Sequence, residues 1–173
     1  MRKLSALVFA GLLFAASVVP AFAATSTQSA TTTVTVSTSI VLTGVPATIA
    51  FAAGAPSAVV TAPTFTANVV TNNRIGYTIG VVTSNMTSVG SADTIPATAF
   101  TWTGTSVTCN GGGVTCVGAS GSPTNTTTAV QVASATKRTS AVGDTFTIAS
   151  SLTIPLVDSG AYTGTAVFTA TSL

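Results

Sequence analysis

The 173-residue chain has no histidine and no glutamate, and only 5% of its residues are charged. An average soluble domain carries about 25%. Without histidine a Ser-His-Asp triad cannot be built. General acid–base chemistry also loses most of the side chains it draws on, so no enzyme is expected. Five basic residues leave nothing to neutralise a run of phosphates, which excludes a nucleic-acid binder. Two cysteines without histidine cannot complete a four-ligand zinc site, and no D-x-D-x-D calcium loop exists. No metal or cofactor is expected. No segment shows a 3.6-residue apolar period, so helices are not expected either.

What is present is apolar and β-branched. Apolar residues make up 46% of the chain, and threonine fills 36 positions, all after residue 24. The first 23 residues read as a cleaved secretory signal peptide. Arg2 and Lys3 precede the apolar stretch Leu4–Val19, Pro20 breaks it, and Ala21-Phe22-Ala23 forms a small-x-small cleavage site. The stretch is short of the roughly 20 apolar residues of a membrane span, so no span is expected after cleavage. No cysteine follows for lipid attachment. Removal of the signal leaves Arg74, Lys137 and Arg138 against Asp93, Asp144 and Asp158, a formal charge of 3 − 3 = 0. The pI near 8.8 therefore belongs to the precursor. A neutral, charge-poor surface lacks the usual protection against association.

Period-2 alternation predicts one all-β domain. Val34, Val36, Thr38, Ile40 and Leu42 share one face of an extended run, with Thr33, Thr35, Ser37, Ser39 and Thr43 on the other. Further strands are expected at Thr48–Ala52, Thr64–Val70, Gly76–Thr83, Ala99–Thr108, Thr128–Ala133, Thr145–Thr153 and Gly160–Thr171. Gly44-Val45-Pro46, Gly54-Ala55-Pro56, Asn72-Asn73-Arg74, Gly111-Gly112-Gly113 and Gly121-Ser122-Pro123 supply turns. About eight short strands at this spacing argue for an Ig-like, Greek-key β-sandwich over residues 34–173. A flexible Thr/Ser lead-in at residues 24–33 precedes it. One or two aromatics fall on most strands and suit packing between sheets. Trp102, Tyr77 and Tyr162 are alternatively candidates for stacking on a carbohydrate.

Cys109 and Cys116 flank a six-residue spacer with three glycines, which folds back as a hairpin tip. In a secreted chain such a pair points to a disulfide, worth about 2–3 kcal/mol for so short a loop. Ser134-Ala135-Thr136-Lys137 matches the Ser-x-x-Lys pattern of penicillin-binding proteins, but its partner motifs are absent. Asp144 after Gly143, and Asp158 before Ser159-Gly160, read as turn residues. Asn85 and Asn125 head N-glycosylation patterns. The threonine runs lack the fixed repeat of an ice-binding solenoid.

Several phrases recur in order: Thr33-Val34-Thr35-Val36-Ser37, Ile40-Val41-Leu42, Val69-Val70-Thr71-Asn72-Asn73, Gly76-Tyr77-Thr78-Ile79, and a closing Gly160-Ala161-Tyr162-Thr163-Gly164. This order resembles colonisation-factor-type pilins, which are assembled by alternate chaperones. The Cys109–Cys116 hairpin departs from them. The resemblance implies a secreted cell-surface structural protein, a pilus or fibre subunit, partnered by its own copies or other surface subunits and by a secretion chaperone. It also implies assembly by strand donation, in which a strand of one subunit completes the sheet of the next. Val34, Val36, Ile40 and Leu42 are the candidate donor strand. The same alternation equally suits a strand that completes the protein's own sheet. The alternative function is a soluble extracellular module binding carbohydrate or a surface ligand.

Overall fold

The computed structural model describes residues 28–112 and 114–173, with Ser106 and Val107 as backbone only. The signal peptide and residues 24–27 of the lead-in lie outside the described residues. The chain divides into two units, 1–35 and 36–173. In the first, residues 28–35 are exposed and form no strand.

The second unit is almost entirely β. Its described strands are β1 (Ile40–Thr43), β2 (Val59–Thr61), β3 (Phe65–Thr71), β4 (Tyr77–Thr83), β5 (Met86–Ser88), β6 (Ser91–Ile95), β7 (Phe100–Thr108), β8 (Cys116–Gly118), β9 (Ser120–Gly121), β10 (Val130–Ala135), β11 (Asp144–Thr153) and β12 (Ala166–Ser172). One sheet runs β1-β3-β11-β7-β9, with β2 also on β11. The other runs β12-β4-β10-β8, and β5–β6 is a separate hairpin. From β7 onward each strand is followed by one in the opposite sheet. The two sheets pack face to face as an all-β sandwich.

The strand sequences explain the layers. Along β11, Asp144, Phe146, Ile148, Ser150 and Leu152 are buried, while the intervening residues through Ser151 are half-exposed. Along β4, Tyr77, Ile79, Val81 and Thr83 are buried in the same alternation. Side chains of period 2 thus supply both inner faces. Trp102 lies at the centre, stacked on Phe100 at 6.2 Å and edge-on to Phe168 at 5.3 Å. Its indole N–H donates to Thr83 Oγ1 at 2.9 Å, so the buried polar end is satisfied.

Residues 116–121 cross between the sheets. Cys116–Gly118 pair with β10, and Ser120–Gly121 pair with β7. At the crossing, Gly104 N–H donates to the Ala119 carbonyl at 2.8 Å, and Ala119 N–H donates to the Val132 carbonyl at 2.9 Å. Backbone approaches backbone so closely that a Cβ on Gly104 would collide with the Val132 carbonyl. One on Gly118 would collide with the Gly104 carbonyl. One flank of the sandwich is thereby closed by hydrogen bonds.

Three expected strands need correction. Only Ile40–Thr43 of the first run enters a ladder, from Ile40 opposite Thr71 to Thr43 opposite Asn68. Thr48–Ala52 is not a strand. Gly44, at φ +85°, turns the chain out of the ladder, and Pro46 has no N–H to offer it. Of Gly160–Thr171, the strand begins only at Ala166. Short β2, β5, β6, β8 and β9 were not anticipated.

Gly104→Ala is expected to lower stability by several kcal/mol, about 2–4, because two backbones must separate. Gly90→Ala, whose added Cβ meets nothing within 4 Å, should leave the melting temperature nearly unchanged. Thermal unfolding of both variants checks this.

Candidate functional site

The two ends of the sandwich differ. At one, the chain leaves β1 through Gly44 and splays away from its neighbours. Residues 45–54 make no backbone hydrogen bond with any described residue. Phe51 nevertheless turns inward, edge-on to Phe100 at 5.6 Å. The chain rejoins the sheet where Ser57 N–H donates to the Ile154 carbonyl at 2.8 Å. Between this splayed segment and residues 157–166 lies a groove of about 940 Å³. Its buried lining includes Val60, Ile95, Phe100, Trp102 and Leu152. Half-buried Tyr162 stands in its wall, its hydroxyl donating to the Asp158 carbonyl at 3.0 Å.

The flank that carries this groove is unpaired. β12 bonds only to β4, and β1 only to β3. Along β12, half-buried Ala166, Phe168 and Ala170 alternate with exposed Val167, Thr169 and Thr171. Phe168 meets Phe65 edge-on at 5.5 Å. Both rings pack against the core yet stay partly exposed, on the flank where β1 and β12 share no ladder.

At the opposite end a buried carboxylate ties three segments together. Asp144 is fully buried. Its Oδ2 accepts the Tyr77 hydroxyl at 2.9 Å, and its Oδ1 accepts the Asn110 N–H at 2.7 Å. Asn110 follows Cys109, which forms a disulfide with Cys116 across a Cα–Cα distance of 6.0 Å. Burial first, then the hydrogen bond to Asp144 and its charge, push the Tyr77 phenol far above its ordinary value.

The sequence-derived residues fall as follows. Ile40 and Leu42 sit half-buried in β1, whereas Val34 and Val36 are 88% and 75% exposed outside any strand. Trp102 and Tyr77 are 1% and 0% exposed, which removes both as ligand-stacking surfaces. They were matched to that role by residue type, but their alternation points them inward. Tyr162 keeps an accessible face. Ser134 lies in β10 and Lys137 in the loop beyond it, so Ser-x-x-Lys does not form a helical turn. Asn125 Oδ1 accepts the Thr127 and Thr128 N–H groups, a turn of its own making. Among the described residues no three His, Cys, Asp or Glu side chains cluster as metal ligands. Strand donation implies an exposed groove, but where it lies and what lines it were not legible. The Gly-x-Pro phrases on either side of Thr48–Ala52 were its available signal.

No protein-family model, curated protein or solved structure matches this chain.

Trp102→Ala is expected to cost about 3–5 kcal/mol of stability, as for other buried aromatics. Tyr77 stays neutral in the fold while an unfolded tyrosine ionises near pH 10. A raised folded-state value means its contribution is intact below that pH and declines above it. Urea melts between pH 8 and 11 should show an alkaline loss of stability that Tyr77→Phe reduces. At pH 7 that variant should be weaker by about 1–3 kcal/mol, since Asp144 loses a buried partner.

Proposed function

We propose that the protein is a non-enzymatic, secreted surface subunit that assembles by donating its N-terminal segment to another copy. The observation that carries this reading is the open flank. A core row is left half-exposed between two unpaired sheet edges, and the flank widens into an apolar groove. An added strand supplies main-chain hydrogen bonds, and alternate side chains fill the pockets. Thr33-Val34-Thr35-Val36-Ser37 has the required alternation, and both valines are exposed. Ile40 and Leu42 already pair within their own chain, so they anchor the donor rather than form it. The disulfide, and the absence of a membrane-crossing helix among the described residues, agree with an extracellular setting.

A second reading is favoured by Tyr162. It is the one sequence-derived stacking candidate that still faces open space, in the wall of a groove wide enough for a small ligand. On that reading the protein is an extracellular binding module.

The experiment is negative-stain microscopy of the processed protein beside an unboiled gel. Filaments, or a ladder that collapses on boiling, are expected. Deleting residues 24–36, which spares β1, should abolish them while the melting temperature changes little. Val34→Asp with Val36→Asp should act likewise. A monomer by both readouts, with ligand binding lost in Tyr162→Ala, selects the second reading.

A further inference from the structure

Six charged residues follow residue 23, and the fold sorts the five exposed ones by sign. Arg74 lies between β3 and β4. Lys137 and Arg138 lie between β10 and β11. All three line one hollow with Asn110 of the disulfide hairpin, at the end where β11 begins. Asp158 follows β11, and its backbone N–H donates to Asp93 Oδ2 at 2.8 Å. Ser91 Oγ donates to Asp158 Oδ2 at 3.0 Å, which holds the two acids together beside the groove. The sixth charge, Asp144, is buried.

The two ends are separated by the length of β11, ten residues or about 33 Å. Salt screens exposed charges beyond about 8 Å, so the ends do not attract within one molecule. None of the three cations forms an ion pair with a described residue. All three thus remain open to an acidic surface outside the chain. The chain also enters the sandwich at the cationic end. Asn72 Nδ2 donates to the Ser37 carbonyl at 2.8 Å, and Ser39 N–H donates to Asn72 Oδ1 at 2.7 Å. The unpaired apolar groove opens at the acidic end.

We propose that these ends are the two halves of a head-to-tail contact between copies of this chain. Arg74, Lys137 and Arg138 of one copy face Asp93 and Asp158 of the next, which sets the polarity with which the groove is approached. The inference rests on the self-assembly reading and adds its direction. Two different patches meeting in this way do not close on themselves, and they generate an open filament. Exposed charges steer encounter and fix register more than they add affinity.

The test uses two charge-reversed forms of the processed protein. One carries Arg74→Asp, Lys137→Asp and Arg138→Asp; the other carries Asp93→Lys and Asp158→Lys. Circular dichroism confirms that each folds, and light scattering follows assembly at low and high salt. Each form alone should assemble about tenfold or more slowly than the parent at low salt. An equimolar mixture should recover the parent rate, because each form then supplies the complement of the other. A folding defect would not be rescued by mixing. Should either variant fail to fold, the parent alone still decides: its assembly rate must fall steeply with salt. A mixture no faster than its components, or a parent rate indifferent to salt, overturns the complementary ends and leaves self-assembly standing. So does a defect confined to the cation-reversed form, which would mark that end as meeting some other anionic surface. A parent that stays monomeric at every salt concentration overturns both.

Discussion

Where β7, β10 and the crossing segment 116–121 meet, main chain lies directly on main chain, and Gly104 and Gly118 leave room for it. Two hydrogen bonds through Ala119 then join the sheets along that flank. A sandwich joined on one side has a definite opposite side. There β1 and β12 approach each other but share no ladder. Trp102 fixes the spacing between the sheets, because its ring must fit among Phe100, Phe168 and the Thr83 hydroxyl. The groove and the half-exposed core row lie on the flank that is not bonded shut, beside the 45–54 segment that Gly44 and Pro46 turn out of the ladder.

The sequence made the architecture legible wherever a strand was long and buried on one face. β3, β4, β7, β10 and β11 lie close to their expected positions, because alternation of Val, Ile and Phe with Thr is a direct record of a half-buried pleat. The pairing of Cys109 with Cys116 was equally plain from the glycine spacer. The splayed segment was not legible. Ile49 and Phe51 alternate as strand residues do, and only the proline and left-handed glycine beside them mark the loss of ladder bonds. Two-residue and three-residue strands such as β2, β8 and β9 carry too few side chains to show a period. Trp102 and Tyr77 failed as stacking candidates for a related reason. Composition names an aromatic, but which face it takes depends on register, and one residue of register inverts the answer. The clustering of charges needed topology, since Asp93 and Asp158 lie 65 positions apart.

A surface this poor in charge is kept polar chiefly by hydroxyls. Thr103 and Ser120, and Thr101 and Ser122, hydrogen-bond across strands at 2.8 and 3.0 Å. Such pairs stiffen a sheet modestly without the repulsion that holds charged proteins apart. Low charge also makes each remaining charge consequential, since no background of opposite signs obscures it. Burying Asp144 beside Tyr77 and Asn110 spends one of only six on a structural joint.

The strand order has a consequence for how the chain reaches this state. In the main sheets no strand pairs with its immediate predecessor, and β11 finds β3 75 to 83 positions earlier, from Asp144 opposite Val69 to Ile148 opposite Phe65. Only the small β5–β6 hairpin forms from adjacent chain. Contact order is therefore high, and the entropy of closing large loops is incurred before most ladders exist. Such a topology folds slowly, with β12, last in chain order among the described strands, required to complete the sheet beside β4. Until it arrives, an edge rich in Val and Ile stands open to any neighbouring chain.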